Sequence, residues 1–138
     1  MIQYLSEDIS SPVFLRRKVT AWIKRVAANH GKKIGDISYL FCNDEKIITI
    51  NRQYLHHDYY TDIITFDSSD GQILNGDLFI SLDTVASNAK EYNTPVQQEL
   101  YRVMIHGILH LCGIDDQTDK DQELMTTEEN KALQLIDF

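Results

Sequence analysis

The sequence is short of cysteine, of long apolar runs and of any repeated pattern. Its 138 residues include two cysteines, Cys42 and Cys112. That is too few for a disulfide framework, so a reducing, cytoplasmic setting is expected. No apolar stretch approaches the ~20 residues that a membrane span needs, and no membrane partner is expected. The opening MIQYLSEDIS lacks both the basic start and the apolar core of a secretory signal. A positive balance is missing too: the chain carries −8 at neutral pH, which on its face disfavours a nucleic-acid partner.

What is present is the composition of an ordinary globular protein, 43% apolar and 25% charged. The length suits one domain over residues 1–138, able to bury roughly two thirds of its unfolded surface. The charge is unevenly spread. Residues 1–33 hold seven Lys/Arg against Glu7 and Asp8, a local +5, and residues 34–138 carry −13. Such asymmetry creates a positive surface on an acidic protein, or is simply the solvated face of a first helix.

Ile2–Leu5 reads as a short edge strand. Ser10 and Ser11 before Pro12 predict a capped helix with Leu15, Val19, Trp22, Ile23 and Val26 on one face, ending at Asn29-His30-Gly31. Ile37–Cys42 reads as a strand, and Asn43 or Asp44 caps a short helix to about Leu55. Asp62–Phe66 and Asp77–Ser81 read as strands around a polar loop. Three helices follow: Asp83–Tyr92, then one opened by a Thr94–Gln97 capping box and running to about Cys112, then residues 120–136 with Leu124, Leu133 and Ile136 among its apolar positions. Strands interleaved with helices predict an α+β domain, a small mixed sheet covered by helices.

The chemistry concentrates in His106-Gly107-Ile108-Leu109-His110-Leu111-Cys112-Gly113-Ile114-Asp115-Asp116. Residues four apart on a helix stand one turn above each other, so both imidazoles project from one face. That geometry lets two ring nitrogens reach one ion of the zinc type. Gly113 can take a left-handed turn that ends the helix and brings Asp115 or Asp116 to the open side of the metal. The pattern H-x-x-x-H-x-x-G-x-x-D has metzincin-type spacing, with Asp116 where a third histidine usually stands. Asp116 is the expected third ligand, with Asp115, Asp119 or water as alternatives. Cys112 points off the histidine face and reads as a small buried hydrophobe. In H-E-x-x-H peptidases the second position is the general base, and here it is Gly107, which moves no proton.

The segment HGILHLCGIDD resembles the hallmark H-G-x-L-H-L-x-G-x-D-H of the YbeY family of bacterial rRNA-maturation proteins, matching it through Asp115. NRQYLHHDYYTDIITF resembles the family's N-x-x-Y-R-x-x-D-x-x-T-D-V-L-S-F, and GDLFISLDTVASNA its G-D-I-x-I-S block. The resemblance implies a four-stranded mixed sheet with about five helices, and a metal-dependent endoribonuclease acting on single-stranded ribosomal RNA. It also implies a zinc or similar divalent ion, and the small ribosomal subunit or a ribosomal protein as partner. Of the family's three motif histidines, two carry over as His106 and His110, and the third falls on Asp116. The family's arginine after the tyrosine falls on Leu55, which cannot clamp a phosphorane-like transition state. Arg52, His56 or His57 are the candidates to replace it. Asp62 matches a family position, where it would orient a ligand histidine or the metal's water. Asp77 after Gly76 has the same standing.

Overall fold

The computed structural model describes residues 1–56 and 61–138; His57 lies outside them. The elements are β1 (Ile2–Ser6), α1 (Arg16–Asn29), β2 (Lys33–Cys42) and α2 (Asp44–Ile50), which runs into a π-helical turn (Asn51–Leu55). Then come β3 (Ile63–Asp67), β4 (Ile73–Ser81), α3 (Leu82–Glu91), α4 (Val96–Leu111) and α5 (Asp119–Gln134). The strands lie in the order β1-β2-β4-β3. β1 and β4 run parallel to β2, and β3 runs antiparallel to β4. This is the mixed four-stranded sheet with five α-helices that the sequence implied.

Period-two alternation divides the sheet between two layers. Ile37, Tyr39, Phe41, Leu78 and Ile80 pack with α1, α3, α4 and α5 in the main core. Cys42, Ile64 and Phe79 face the other way, onto Ile47 and Ile50 of α2. In the main core α4 is the central helix. From Val103 to Leu111 every residue is buried except His106 and His110. Ile105, Ile108 and Leu109 are fully buried, each contributing roughly 1.5–3 kcal/mol. The two imidazoles are thus carried on the helix at the centre of the core.

Several expected element ends move. Pro12 does not begin α1, whose first residue is Arg16 and which has no side-chain cap. The Ser11 hydroxyl is paired instead with that of Ser6 at 2.8 Å, and Phe14 packs edge-on against Tyr4 and Phe41. The approach to α1 is therefore a loop pinned to the sheet, and Leu15 is exposed. The Thr94–Gln97 capping box does not form either. Pro95 is the cap of α4, Gln97 Nε2 donates to the Tyr101 hydroxyl and the Val13 carbonyl, and Thr94 Oγ1 is buried without a partner. A genuine capping box, Thr118 with Asp121, opens α5. There Met125, Glu129 and Ala132 are the buried positions, and Leu124 is exposed.

β2 and β4 both begin about four residues earlier than the polar sequence suggested. Lys33 and Ile34 pair with Ile73 and Leu74 before a register shift, and Asn75 Oδ1 accepts from the Asp36 amide across that shift at 2.7 Å. The choice between Asn43 and Asp44 is settled for Asn43, whose side chain accepts from the Lys46 amide.

Candidate functional site

His106 and His110 open onto a cavity of about 200 Å³ on the β3 side of α4. Asp116 completes that wall, Asn51 and Leu55 come from the π-helical turn, and Thr61, Ile63 and Thr65 from β3 and its approach. The arrangement depends on two glycines. Gly113 has φ +102°, a conformation that strains any residue with a Cβ, and it turns the chain after α4 so that Asp116 folds back. Gly107 lets α4 lie close on the sheet: a Cβ there would stand 2.9 Å from Ile63 Cδ1 and 3.0 Å from Leu78 Cδ2. The position that carries the general base in H-E-x-x-H enzymes therefore faces the core, not the cleft. A carboxylate at that position would be packed against Ile63 and Leu78, outside the cavity lining.

Asp116 Oδ2 is 3.3 Å from His106 Nε2. Two ligands of one tetrahedral ion with bonds of ~2.0–2.1 Å are about 3.3 Å apart, so this pair already has the spacing that shared ligation needs. On the other ring nitrogen, His106 Nδ1 lies 2.7 Å from Glu129 Oε2. Glu129 in turn accepts from Arg102 Nη1 at 2.9 Å, and Arg102 Nη2 donates to Asn130 Oδ1. A carboxylate on Nδ1 fixes the tautomer that leaves the Nε2 lone pair free, the usual support of a metal-binding imidazole. Among the described residues no three His, Cys, Asp or Glu side chains are closed around one point. The structure brings His106, His110 and Asp116 to one cavity without drawing them onto a single position. The donor set of two imidazoles and a carboxylate still fits a zinc-type ion.

Asp62 stands behind His106, in a second, smaller cavity with Asn88, Glu99 and Glu129. Its carbonyl accepts from the Ser81 amide, and Asn88 Nδ2 donates to its carboxylate at 3.4 Å. β3 begins one residue later than expected, at Ile63, so Asp62 is at the mouth of the strand. Arg52 is exposed on the π-helical turn and does not line the histidine cavity. His56 ends that turn with φ +56°, also outside the lining. Leu55 occupies the wall itself, 40% exposed. Asp77 is exposed on β4, facing away from the cavity.

Glu129 and Arg102 are the residues that sequence reading missed. Glu129 lies 19 residues beyond His110, on a different helix, and no local spacing ties the two together. The single trace is a glutamate falling between Met125 and Ala132 on the buried face of α5, where an acid needs a partner.

The electrostatics are coupled. Burial pulls the His106 imidazole down, but the hydrogen bond and charge of Glu129, with Asp62 and Asp116, outweigh it and hold it above its ordinary value. Burial pushes Asp62 up against the pull of His106, and pushes Glu99 up against that of Arg102. All three groups bind protons more tightly folded than unfolded. Their stabilisation is therefore present at low pH and lost as pH rises through the folded values. Metal-free protein is expected to show a falling Tm from about pH 4 to about pH 8, from the ordinary carboxylate values up through the ordinary histidine value. A Tm that rises across that window in calorimetry contradicts this charge arrangement.

Comparison with known proteins gives the same answer along the whole chain. The family model described as Endoribonuclease YbeY matches residues 2–137. A protein of that name from Phocaeicola vulgatus is 57% identical over 136 residues, 99% of each chain. Another from Parabacteroides distasonis is 56% identical, covering 98% of this chain and 95% of that one. A Thermotoga maritima protein known from a solution structure superposes with a TM-score of 0.68 at 25% identity, over 97% of this chain and 87% of that one. With the family model matching residues 2–137 and these relatives more than half identical over almost the whole length, the chain belongs to the YbeY family of endoribonucleases.

Proposed function

We propose that this family member cuts single-stranded ribosomal RNA in the cavity between α4 and β3, as one YbeY-like domain over residues 1–138. His106, His110 and Asp116 would hold one divalent transition-metal ion, zinc by the chemistry of the donor set. The observation that carries the reading is the coincidence of both His106 contacts. Nε2 faces Asp116 at ligand spacing, and Nδ1 is fixed by a carboxylate that is itself paired with Arg102.

A bound ion would supply a hydroxide-like water near neutral pH and offset charge on the phosphodiester. Glu129 holds the His106 ring in the donor tautomer, and Arg102 holds Glu129 in place. Asp62, set behind the same ring, biases the imidazole without lining the cleft. Leu55 gives the wall an apolar segment where the family's arginine would clamp phosphate, so transition-state charge rests on fewer groups. Arg52, on the π-helical turn outside the cavity lining, is the catalytic candidate there. The reading carries with it a cytoplasmic location and the small ribosomal subunit or one of its proteins as partner. For the membrane, the structure's contribution is that no helix among the described residues is long and apolar enough to cross one.

Leu55 on the cavity wall favours a second reading, an assembly factor that binds the ribosome and uses its metal structurally. A peptidase is disfavoured by the core-facing Gly107. Incubating metal-loaded protein with a single-stranded RNA and, separately, with casein distinguishes all three. RNA cleavage with intact casein is expected. Cleavage of neither, together with co-sedimentation with small ribosomal subunits, supports the assembly factor, and casein digestion overturns the nuclease reading.

A further inference from the structure

A cavity larger than the histidine site lies elsewhere among the described residues. It is a groove of about 650 Å³ between the edge strand β1 and helix α1, with Arg16, Arg17 and Lys24 on its helical side and Tyr4 and Leu5 on its strand side. Residues 17 and 24 are two turns apart on α1, about 10 Å along the axis, with Thr20 and Ala21 between them as a low floor. Both cations are exposed. Arg16 is held in place, its guanidinium lying 5.8 Å from the Tyr4 ring centroid and 6.0 Å from that of Phe14. The first turn of α1 contains no acid. The groove belongs to the +5 segment of a chain whose remainder carries −13.

Geometry separates this groove from the histidine cleft. β1 and β3 are the two edges of the sheet, about 14 Å apart at ~4.8 Å per strand spacing. A polyanion is repelled by the acidic remainder of the protein and attracted to the three cations of this groove. We propose that the β1–α1 groove binds the phosphate backbone of single-stranded RNA, anchoring the substrate at the sheet edge opposite the scissile site. This rests on the ribonuclease reading for the identity of the polyanion, but the groove's cations and shape stand independently of the cleft. An acidic polypeptide would satisfy the charge as well. RNA is favoured because spaced cations above a low floor suit a repeating backbone charge.

The test is fluorescence anisotropy of a labelled single-stranded oligoribonucleotide, in a chelator that prevents cleavage, across a potassium chloride series. It compares the full-length protein with Arg17→Ala/Lys24→Ala and with a control, Lys90→Ala/Lys120→Ala. Three groove cations predict a slope of log affinity on log salt of about −2, and the double variant about −0.7. The double variant is expected to lose tenfold or more in affinity at low salt, with the control within twofold of the parent. Equal losses in both variants, or an unchanged slope in Arg17→Ala/Lys24→Ala, overturn the proposal. So does poly-glutamate displacing the oligonucleotide as well as unlabelled RNA does, which would assign the groove to an acidic protein partner. His110→Ala serves as the separate arm. It is expected to bind RNA normally in the chelator, so loss of cleavage and loss of binding report on different sites.

Discussion

His106→Ala is expected to leave the purified protein without bound transition metal, against about one equivalent in the parent, and without RNA cleavage. Among the described residues, His106 meets both the candidate ligand Asp116 and the buried support Glu129. Its removal takes away a donor and leaves Glu129 facing a gap with only Arg102 to satisfy it. The supporting residue gives a graded version of the experiment. Glu129→Gln keeps the hydrogen-bonding shape but removes the charge, and is expected to weaken metal affinity by ~10–100-fold. Asp116→Ala is expected to weaken it tenfold or more. Unchanged metal content in Asp116→Ala would move the third ligand to Asp115, Asp119 or water. Elemental analysis of protein purified without added metal checks all three variants, with circular dichroism confirming that each is folded.

Gly107→Glu is the second large effect, and it acts on the fold. The change restores the peptidase pattern in sequence, yet the side chain would enter the contact between α4 and Leu78 and Ile63. Burying an unpaired carboxylate there costs several kcal/mol, a large part of the ~5–15 kcal/mol that holds a typical domain together. Gly107→Ala meets only the ends of flexible side chains. The overpacking cost of ~1–3 kcal/mol is partly offset by about 1 kcal/mol of helix propensity. Urea denaturation is expected to show a modest shift for the alanine variant and an unfolded or insoluble glutamate variant. A stable glutamate variant that gains peptidase activity would contradict the placement of this position against the sheet.

The parts legible in sequence were those with local causes. The i, i+4 histidines, the stop at Gly113 and the return of an aspartate all follow from helix periodicity and one left-handed residue, and they lie where expected. The four-stranded mixed sheet followed from strands alternating with helices. Serine, threonine and proline near a helix start were read as caps at both Pro12 and Thr94, and at both places tertiary contacts won. Ser11 is taken by Ser6, and Gln97 by Tyr101 and Val13. The early starts of β2 and β4 were hidden because Lys33–Ile34 and Ile73–Leu74 are strands only by virtue of each other. Glu129 and Arg102 were invisible for the same reason. Their meaning comes from α5 crossing α4, not from anything near them in the chain.

The basic N-terminal segment was legible as charge but not as place. Its cations do not border the histidine cleft. Three of them, Arg16, Arg17 and Lys24, line a groove at the far edge of the sheet, while Lys18 and Arg25 lie by the C-terminal residues and Lys32 by Gln72.

The central claim is that His106, His110 and Asp116 hold one ion on which ribonuclease activity depends. The direct measurement is the initial rate of cleavage of a single-stranded RNA by metal-stripped protein, titrated with zinc, for the parent and for His110→Ala. The parent is expected to be inactive when stripped, to gain activity linearly and to level off near one equivalent, while His110→Ala stays flat throughout. Full activity in the stripped parent, or the same response from His110→Ala, would contradict it.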